Sequence, residues 1–73
     1  MNIEEIRKDI TNHIGKTIKI KYNLGRNKYE EYEVIIKELY DNVFLVEYKN
    51  FSGTSIKSFA YRDVMTKLIH IDY

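Results

Sequence analysis

The residues with the most potential chemistry lie between Tyr22 and Tyr29, in a turn that contains a glycine and two cations. Arg26 and Lys28 could bind phosphate oxygens, and the flanking tyrosine rings could stack on bases. Cations interleaved with aromatic rings are typical of proteins that bind single-stranded nucleic acid. The same residues are also typical of an ordinary hairpin turn with a charged, solvated tip, so the turn alone leaves both interpretations open.

The charges around this turn are unevenly distributed. Residues 15–28 hold five Lys and Arg residues and no acid, whereas residues 30–41 hold five acids and one lysine. Opposite charges on neighbouring strands can pair across a hairpin, which stabilises it by a few tenths to about 1 kcal/mol. Alternatively, the cations form a basic face for phosphate or for an acidic protein surface. The cations that would form this face are Lys19, Lys21, Arg26 and Lys28.

No constellation in the sequence predicts catalysis. Ser58 and Asp63 would need a histidine for a triad, and no local motif positions His13 or His70 beside them. Asp63 is better explained as a cap of a short helix. The absence of cysteine excludes a disulfide framework, a thiolate zinc site and a cysteine nucleophile. The sequence therefore predicts a protein that is not an enzyme and has no catalytic residue, metal site or cofactor.

The size and composition of the chain indicate one small folded domain. The chain has 73 residues and 8.8 kDa, of which 44% are hydrophobic and 32% charged, so we expect a single domain over residues 1–73. The longest apolar run, residues 43–46, is far too short for a transmembrane helix. We therefore expect a cytoplasmic protein that does not bind membranes. The seven tyrosines suit either an interface or the rim of a small barrel.

The N-terminal segment has the pattern of an amphipathic helix. Asn2 followed by Glu5 resembles a capping box, and isoleucines at positions 3, 6 and 10 recur at helical spacing. Gly15 suits a left-handed C-cap. The pattern predicts a helix over about residues 3–13.

From Thr17 onward the hydrophobic period is two, which predicts strands. The break in alternation at Leu39 predicts a bulge between Ile36 and Glu38. The predicted strands cover residues 17–22, 29–40, 43–49, 55–61 and 67–73, with one helical turn at 61–65. This order favours a mainly β fold in which the N-terminal helix precedes a five-stranded antiparallel SH3-like or Sm-like barrel over about residues 16–73. An OB-type barrel is the nearest competitor.

Several motifs carry a resemblance to a known family. They are Ile14-Gly15-Lys16-Thr17-Ile18-Lys19-Ile20-Lys21, Asn23-x-Gly25-Arg26-x-Lys28, Glu31-x-Glu33, Leu39-Tyr40-x-x-Val43-Phe44-x-Val46 and Ser58-Phe59-Ala60-Tyr61-x-Asp63-Val64-Met65-Thr66. In order and spacing, over about residues 3–71, the chain is similar to the Veg proteins of low-G+C Gram-positive bacteria.

The resemblance implies a small cytoplasmic protein with an SH3-like barrel. It implies stimulation of biofilm formation through relief of a transcriptional repressor of matrix genes, and it supplies no catalytic residues. The matched positions expected to form a binding surface are Asn23, Gly25, Arg26, Lys28, Tyr61 and Asp63.

Two functional hypotheses follow from the residues and the resemblance. The first is a non-enzymatic regulatory adaptor that binds a protein, such as a helix-turn-helix repressor. The second is direct, low-specificity binding of nucleic acid through the basic 16–28 segment. A phosphate contact weakens steeply with salt, whereas a contact through tyrosines tolerates it. An exposed barrel edge or the apolar helix face could also pair two copies into a homodimer.

Overall fold

A computed structural model describes residues 2–73, and this part of the chain forms two helices and five strands. In chain order the elements are α1 (Ile3–Thr11), β1 (Thr17–Gly25), β2 (Lys28–Leu39), β3 (Val43–Asn50), β4 (Gly53–Ala60), α2 (Tyr61–Met65) and β5 (Ile69–Asp72). The predicted order of elements is confirmed. The main differences in length are that β5 has four residues instead of the predicted seven, that β1 extends three residues beyond the predicted residue 22, and that β4 begins and α1 ends two residues early.

Helix α1 begins as the sequence predicts. The Asn2 side-chain oxygen accepts a hydrogen bond from the Glu5 backbone N–H at 2.9 Å, which satisfies one of the donors left free at a helix start. Gly15 is not the cap, because the helix ends at Thr11. Gly15 instead takes a φ of 83° and donates its N–H to the Ile36 carbonyl at 2.9 Å. This hydrogen bond attaches the loop that follows α1 to strand β2.

The five strands form one antiparallel sheet in the order β4-β3-β2-β1-β5. The predicted mainly β fold with an N-terminal helix is confirmed. The predicted closed barrel is not confirmed, because the ladder of the described residues ends at β4 on one side and at β5 on the other. The chain between these two edge strands forms α2 and a short connection instead of a further pair of hydrogen-bonded strands.

Strand β2 changes its partners along its length. The predicted bulge is confirmed, since the register between β2 and β3 skips Lys37 between Ile36 and Glu38. Residues 28–35 of β2 pair with β1, but β3 pairs with β2 only from Ile35 to Leu39. Beyond Ile35, toward Lys28, β2 and β3 are no longer paired, so the β1–β2 and β3–β4 hairpins separate there. We call the space between residues 28–34 of β2 and residues 48–50 of β3 the fork.

The hydrophobic core is centred at the end of the sheet where β2 and β3 are paired, and it extends under the fork, because Val34 and Ile20, which pairs with Tyr32, belong to it. Its members are the buried residues Ile6, Ile10, Ile18, Ile20, Val34, Ile36, Phe44, Val46, Phe59, Tyr61 and Ile69. We call this end of the sheet, with the 40–42 loop, α1 and α2, the closed end. Tyr73, which the alternation placed inward, is 51% exposed and rests its ring against His13, with 4.2 Å between ring centroids.

Candidate binding surface

The β1–β2 hairpin ends in a tight turn formed by Arg26 and Asn27. Gly25 and Lys28 are paired on either side of it, and φ is 88° at Gly25, 49° at Arg26 and 61° at Asn27. Positive φ at both central residues is the two-residue hairpin geometry that matches strand twist. A residue other than glycine pays about 1–2 kcal/mol for this conformation. The Arg26 side chain is exposed at this turn, and the positive φ of its backbone lowers the stability of the fold by that amount.

Asn23 precedes the irregularity in the register between β1 and β2, which lies between Asn23 and Gly25. Its side-chain oxygen accepts the Gly25 N–H at 2.8 Å, and its own N–H donates to the Leu68 carbonyl at 2.8 Å. Asn23 therefore holds the turn and the start of β5 in place. These contacts give Asn23 a structural role whether or not the turn binds a partner.

The two lysines of β1 lie among carboxylates. Lys21 Nζ is 3.5 Å from Glu31 on β2. Lys19 is directly opposite Glu33 on β2 and Asp72 on β5. The basic strand thus faces the acidic strand, as the cross-hairpin interpretation predicts. Within residues 2–73, Arg26 and Lys28 form no ion pair, so both charges at the turn are available to a ligand.

The structure places the last two predicted site residues away from the turn. Tyr61 is 1% exposed, stacks on Phe44 with 5.7 Å between centroids and donates its hydroxyl to the Tyr40 carbonyl at 2.8 Å. Its assignment to a binding surface is corrected, because a buried ring contacts the core and not a partner. Burial is also the main cause that raises the pKa of Tyr61.

Asp63 lies half-buried on α2 and does not cap it. The N-cap is Ala60, without a side-chain hydrogen bond. Asp63 instead helps to line a cleft of about 510 Å³ together with Tyr22, Glu30 and Lys57. The structure therefore groups Asn23, Gly25, Arg26 and Lys28 at one turn, with Lys19 and Lys21 further along β1, and separates Tyr61 and Asp63 from them.

Apolar side chains project from both hairpin tips. Of these, the sequence pattern pointed only to Tyr29, as a ring that could stack on a base. Phe51, in the turn between β3 and β4, is fully exposed at 112% of its reference area, and Tyr29 is 58% exposed. Leu24 is also exposed. Since β2 and β3 are antiparallel, both tips lie at the same end of the sheet. A phenylalanine within Asn50-Phe51-Ser52-Gly53, a turn-forming sequence, was the available signal.

The fork opens between these tips as a cleft of about 450 Å³. Three carboxylates line it, those of Glu31, Glu33 and Glu47, together with the residues Tyr32 and Tyr48. The two tyrosine rings meet edge to face with 5.5 Å between centroids. Glu47 pairs with Lys37 at 3.2 Å near the base of the fork. We call this end of the molecule, with the fork and both tips, the forked end.

A lysine bridges the two hairpins on the core-facing side of the fork. Lys57 Nζ on β4 is 4.6 Å from the Tyr32 ring centroid and donates to the Tyr32 hydroxyl at 3.1 Å. That hydroxyl donates in turn to Glu30 at 2.5 Å. The hydrogen bond to Tyr32 is the main cause that raises the pKa of Lys57. This network holds the arms of the fork at a fixed separation.

Within residues 2–73, no group of three or more His, Cys, Asp or Glu side chains is arranged to hold a metal ion. None of the helices in this part of the chain is long and apolar enough to span a membrane.

Comparison with known proteins gives one match over nearly the whole chain. A family model described as "Biofilm formation stimulator VEG" matches residues 1–72. No curated protein matches the chain.

Proposed function

The chain belongs to the VEG family of biofilm formation stimulators, and from that premise we propose that it is a non-enzymatic, cytoplasmic adaptor that binds a protein partner through its forked end. The partner is a transcriptional repressor of biofilm matrix genes, or a component that controls one, and binding relieves repression. The forked end is the contact surface, and the closed end serves to hold it in shape.

The exposure of Phe51 and Tyr29 at neighbouring hairpin tips supports this proposal. Aromatic side chains are enriched at protein interfaces because they bury a large area with few rotatable bonds. Leaving two such rings in water is unfavourable unless a partner covers them. Phe51 lies in a turn held by the hydrogen bond from the Ser52 N–H to the Asn50 side chain, and Tyr29 lies in the paired part of β2, so this surface is largely preformed.

The alternative function, nucleic-acid binding through the basic 16–28 segment, is left with few free cations on the hairpin. Lys19 and Lys21 face carboxylates, and Arg26 and Lys28 remain at the turn. Lys16, just before β1, is also exposed and in no ion pair within residues 2–73. For single strands each neutralised phosphate contributes about 0.7 to the magnitude of the slope of log K against log salt, so these three cations give a slope of about 2.1. Such binding is weak and disappears near physiological salt.

We also propose that the sheet is an open form of the SH3-like barrel, in which α2 occupies the seam between β4 and β5. The bend of β2 at Lys37 and the change of partners along it support this assignment, since one long strand shared by two half-sheets is how a small barrel curls.

Biofilm complementation tests the adaptor function. A biofilm-forming bacterium that lacks its own VEG-family gene receives the wild-type gene, a Phe51→Ser/Tyr29→Ser variant or an Ile14→Ser variant. Ile14 is exposed outside the forked end, so it is a matched control. We expect wild type and control to restore biofilm and matrix transcription and the tip variant to fail while remaining folded by circular dichroism. Full activity of the folded tip variant would contradict the proposal.

Titration of the ¹⁵N-labelled protein with a mixed-sequence single-stranded oligonucleotide separates the two functions. We expect shifts at residues 25–28 at low salt that vanish at physiological salt. Shifts over residues 19–28 that persist at physiological salt would make nucleic acid the ligand. An Arg26→Glu/Lys28→Glu variant should lose the low-salt shifts in either case.

A further inference from the structure

We infer that the fork accepts an extended segment of the partner protein as an added strand on β2, and that this segment alternates basic and apolar side chains. The inference rests on the proposed function, for which it supplies the mode of binding.

The first support is the free edge of β2. Residues 28–34 have β1 as their one strand neighbour in the described chain. In an antiparallel ladder, about half of the backbone N–H and C=O groups of such a segment point away from that neighbour. A row of unpaired backbone groups is a template for a further strand, and several families of peptide-binding domains use it.

The second support is the difference between the two sides of the fork. Side chains of an added strand would alternate between the two faces of the sheet. On the outer face they would meet the carboxylates of Glu31 and Glu33, with Glu47 and the single cation Lys49 across the cleft, and on the core-facing side the rings of Tyr32 and Tyr48. Basic residues match the first side and apolar residues the second, because directly opposed pairs decide strand pairing. The cleft of about 450 Å³ is within the size range of ligand sites.

The third support is that β2 already pairs with a strand of this kind. On its other edge lies Thr17-Ile18-Lys19-Ile20-Lys21-Tyr22 of β1, which alternates in the same way. Lys21 approaches Glu31 to 3.5 Å and Lys19 faces Glu33, while Ile18 and Ile20 are buried. A strand on the free edge would meet the same acidic row from the opposite side.

The test uses the β1 sequence itself as a probe. The acetylated and amidated hexapeptide Thr-Ile-Lys-Ile-Lys-Tyr is added to the ¹⁵N-labelled full chain at physiological salt. We expect chemical-shift changes confined to residues 28–34 and 47–50. A peptide with both lysines replaced by glutamate should bind at least tenfold more weakly. So should a peptide with alternate backbone nitrogens methylated, because it lacks half of the strand's N–H donors.

Variants of the protein locate the site. Glu33→Lys should weaken the peptide at least tenfold, and Glu4→Lys, the same charge change on the exposed first turn of α1, should leave its affinity unchanged. Absence of shifts at 28–34, or equal binding of the methylated peptide, would overturn the inference. If the tip variant still abolishes biofilm under that result, the adaptor function stands and the partner contacts the tips without adding a strand. If the peptide binds and the tip variant is fully active, the adaptor function fails instead.

Discussion

The two ends of the sheet are built from the same strands but differ in what covers them. At the closed end, α1 packs against α2 and β2, α2 packs against β4 and β5, and Tyr61 is buried with both its N–H and its hydroxyl bonded to the 40–42 loop. At the forked end, β2 and β3 have lost each other as neighbours, and Phe51 and Tyr29 project into solvent.

The difference shows that this small chain separates stability from binding along one strand. The bulge at Lys37 is close to the point where β2 gains its second neighbour. On one side of it, apolar area is removed from water and stabilises the fold. On the other side, unpaired backbone and exposed rings contribute little to folding and are available to a partner, as is usual for segments with few buried contacts.

Removing the buried Tyr61 side chain should cause the largest loss of stability and should disrupt the packing at the closed end. We expect Tyr61→Ala to lower the free energy of unfolding by about 3–5 kcal/mol, because it opens a cavity among aromatic rings. The matched change at the forked end, Tyr29→Ala, should stay within about 0.5 kcal/mol. Urea denaturation measures both. Similar losses for the two variants would contradict the separation of roles.

The turn of the β1–β2 hairpin should respond next. Gly25→Ala should cost about 1–2 kcal/mol, because φ is 88° there and the added methyl group meets nothing within 4 Å that could compensate or clash. Asn27→Gly should instead stabilise by a few tenths to about 1 kcal/mol, since its φ of 61° suits glycine. Thermal unfolding measures both changes. A destabilised Asn27→Gly would show that the Asn27 side chain, and not its backbone, matters.

The two ion pairs should also differ in how much they stabilise the fold, by a smaller free energy than the substitutions above. Double-mutant cycles with Gln should give a coupling of a few tenths of a kcal/mol for Lys21 and Glu31, since both side chains are half-exposed. The pair Lys37 and Glu47 should couple more strongly, because it is shorter and Glu47 is less exposed. Urea titrations at low and high salt provide the measurement. Equal coupling energies for the two ion pairs would contradict the expected difference between them.

The smallest effect is a dependence on pH at the closed end. Burial, helped by the charge of Asp9, raises the pKa of Tyr73 from 10.0 to about 12. The folded state therefore holds this proton more tightly than the unfolded state. The resulting stabilisation is complete below pH 10 and is lost as pH rises toward 12. Tyr73→Phe should flatten the fall in stability between pH 10 and 11.5, measured by urea unfolding, and should remove one phenol with a raised pKa from the 295 nm absorbance titration.

Most of the fold followed from local patterns in the sequence. The Asn2 cap, the alternation in β1 and β3 and the bulge at Lys37 depend on residues within a few positions of each other. Such features are readable because helix and strand periods decide which side chains share a face.

The open sheet and the exposed fork did not follow from these patterns. Whether β4 pairs with β5 depends on how far the sheet curls and on where α2 packs, which are contacts between distant residues. For the same reason the sequence placed Tyr61 on a surface, although its ring completes the core. Phe51 was assigned only to a loop, because its exposure depends on the absence of any packed neighbour.

Amide hydrogen exchange of the ¹⁵N-labelled protein, at several concentrations, tests the central claim most directly. In residues 36–39, where β2 pairs with β3 and no longer with β1, we expect protection of the amides that face β3. In residues 28–34 we expect protection to alternate, with each second amide exchanging rapidly because it faces the fork. Continuous protection through residues 28–34 would contradict the account, because it would mean that the edge is already covered. Protection that is independent of protein concentration would indicate a closed barrel, and protection that rises with concentration would indicate a second copy of the chain.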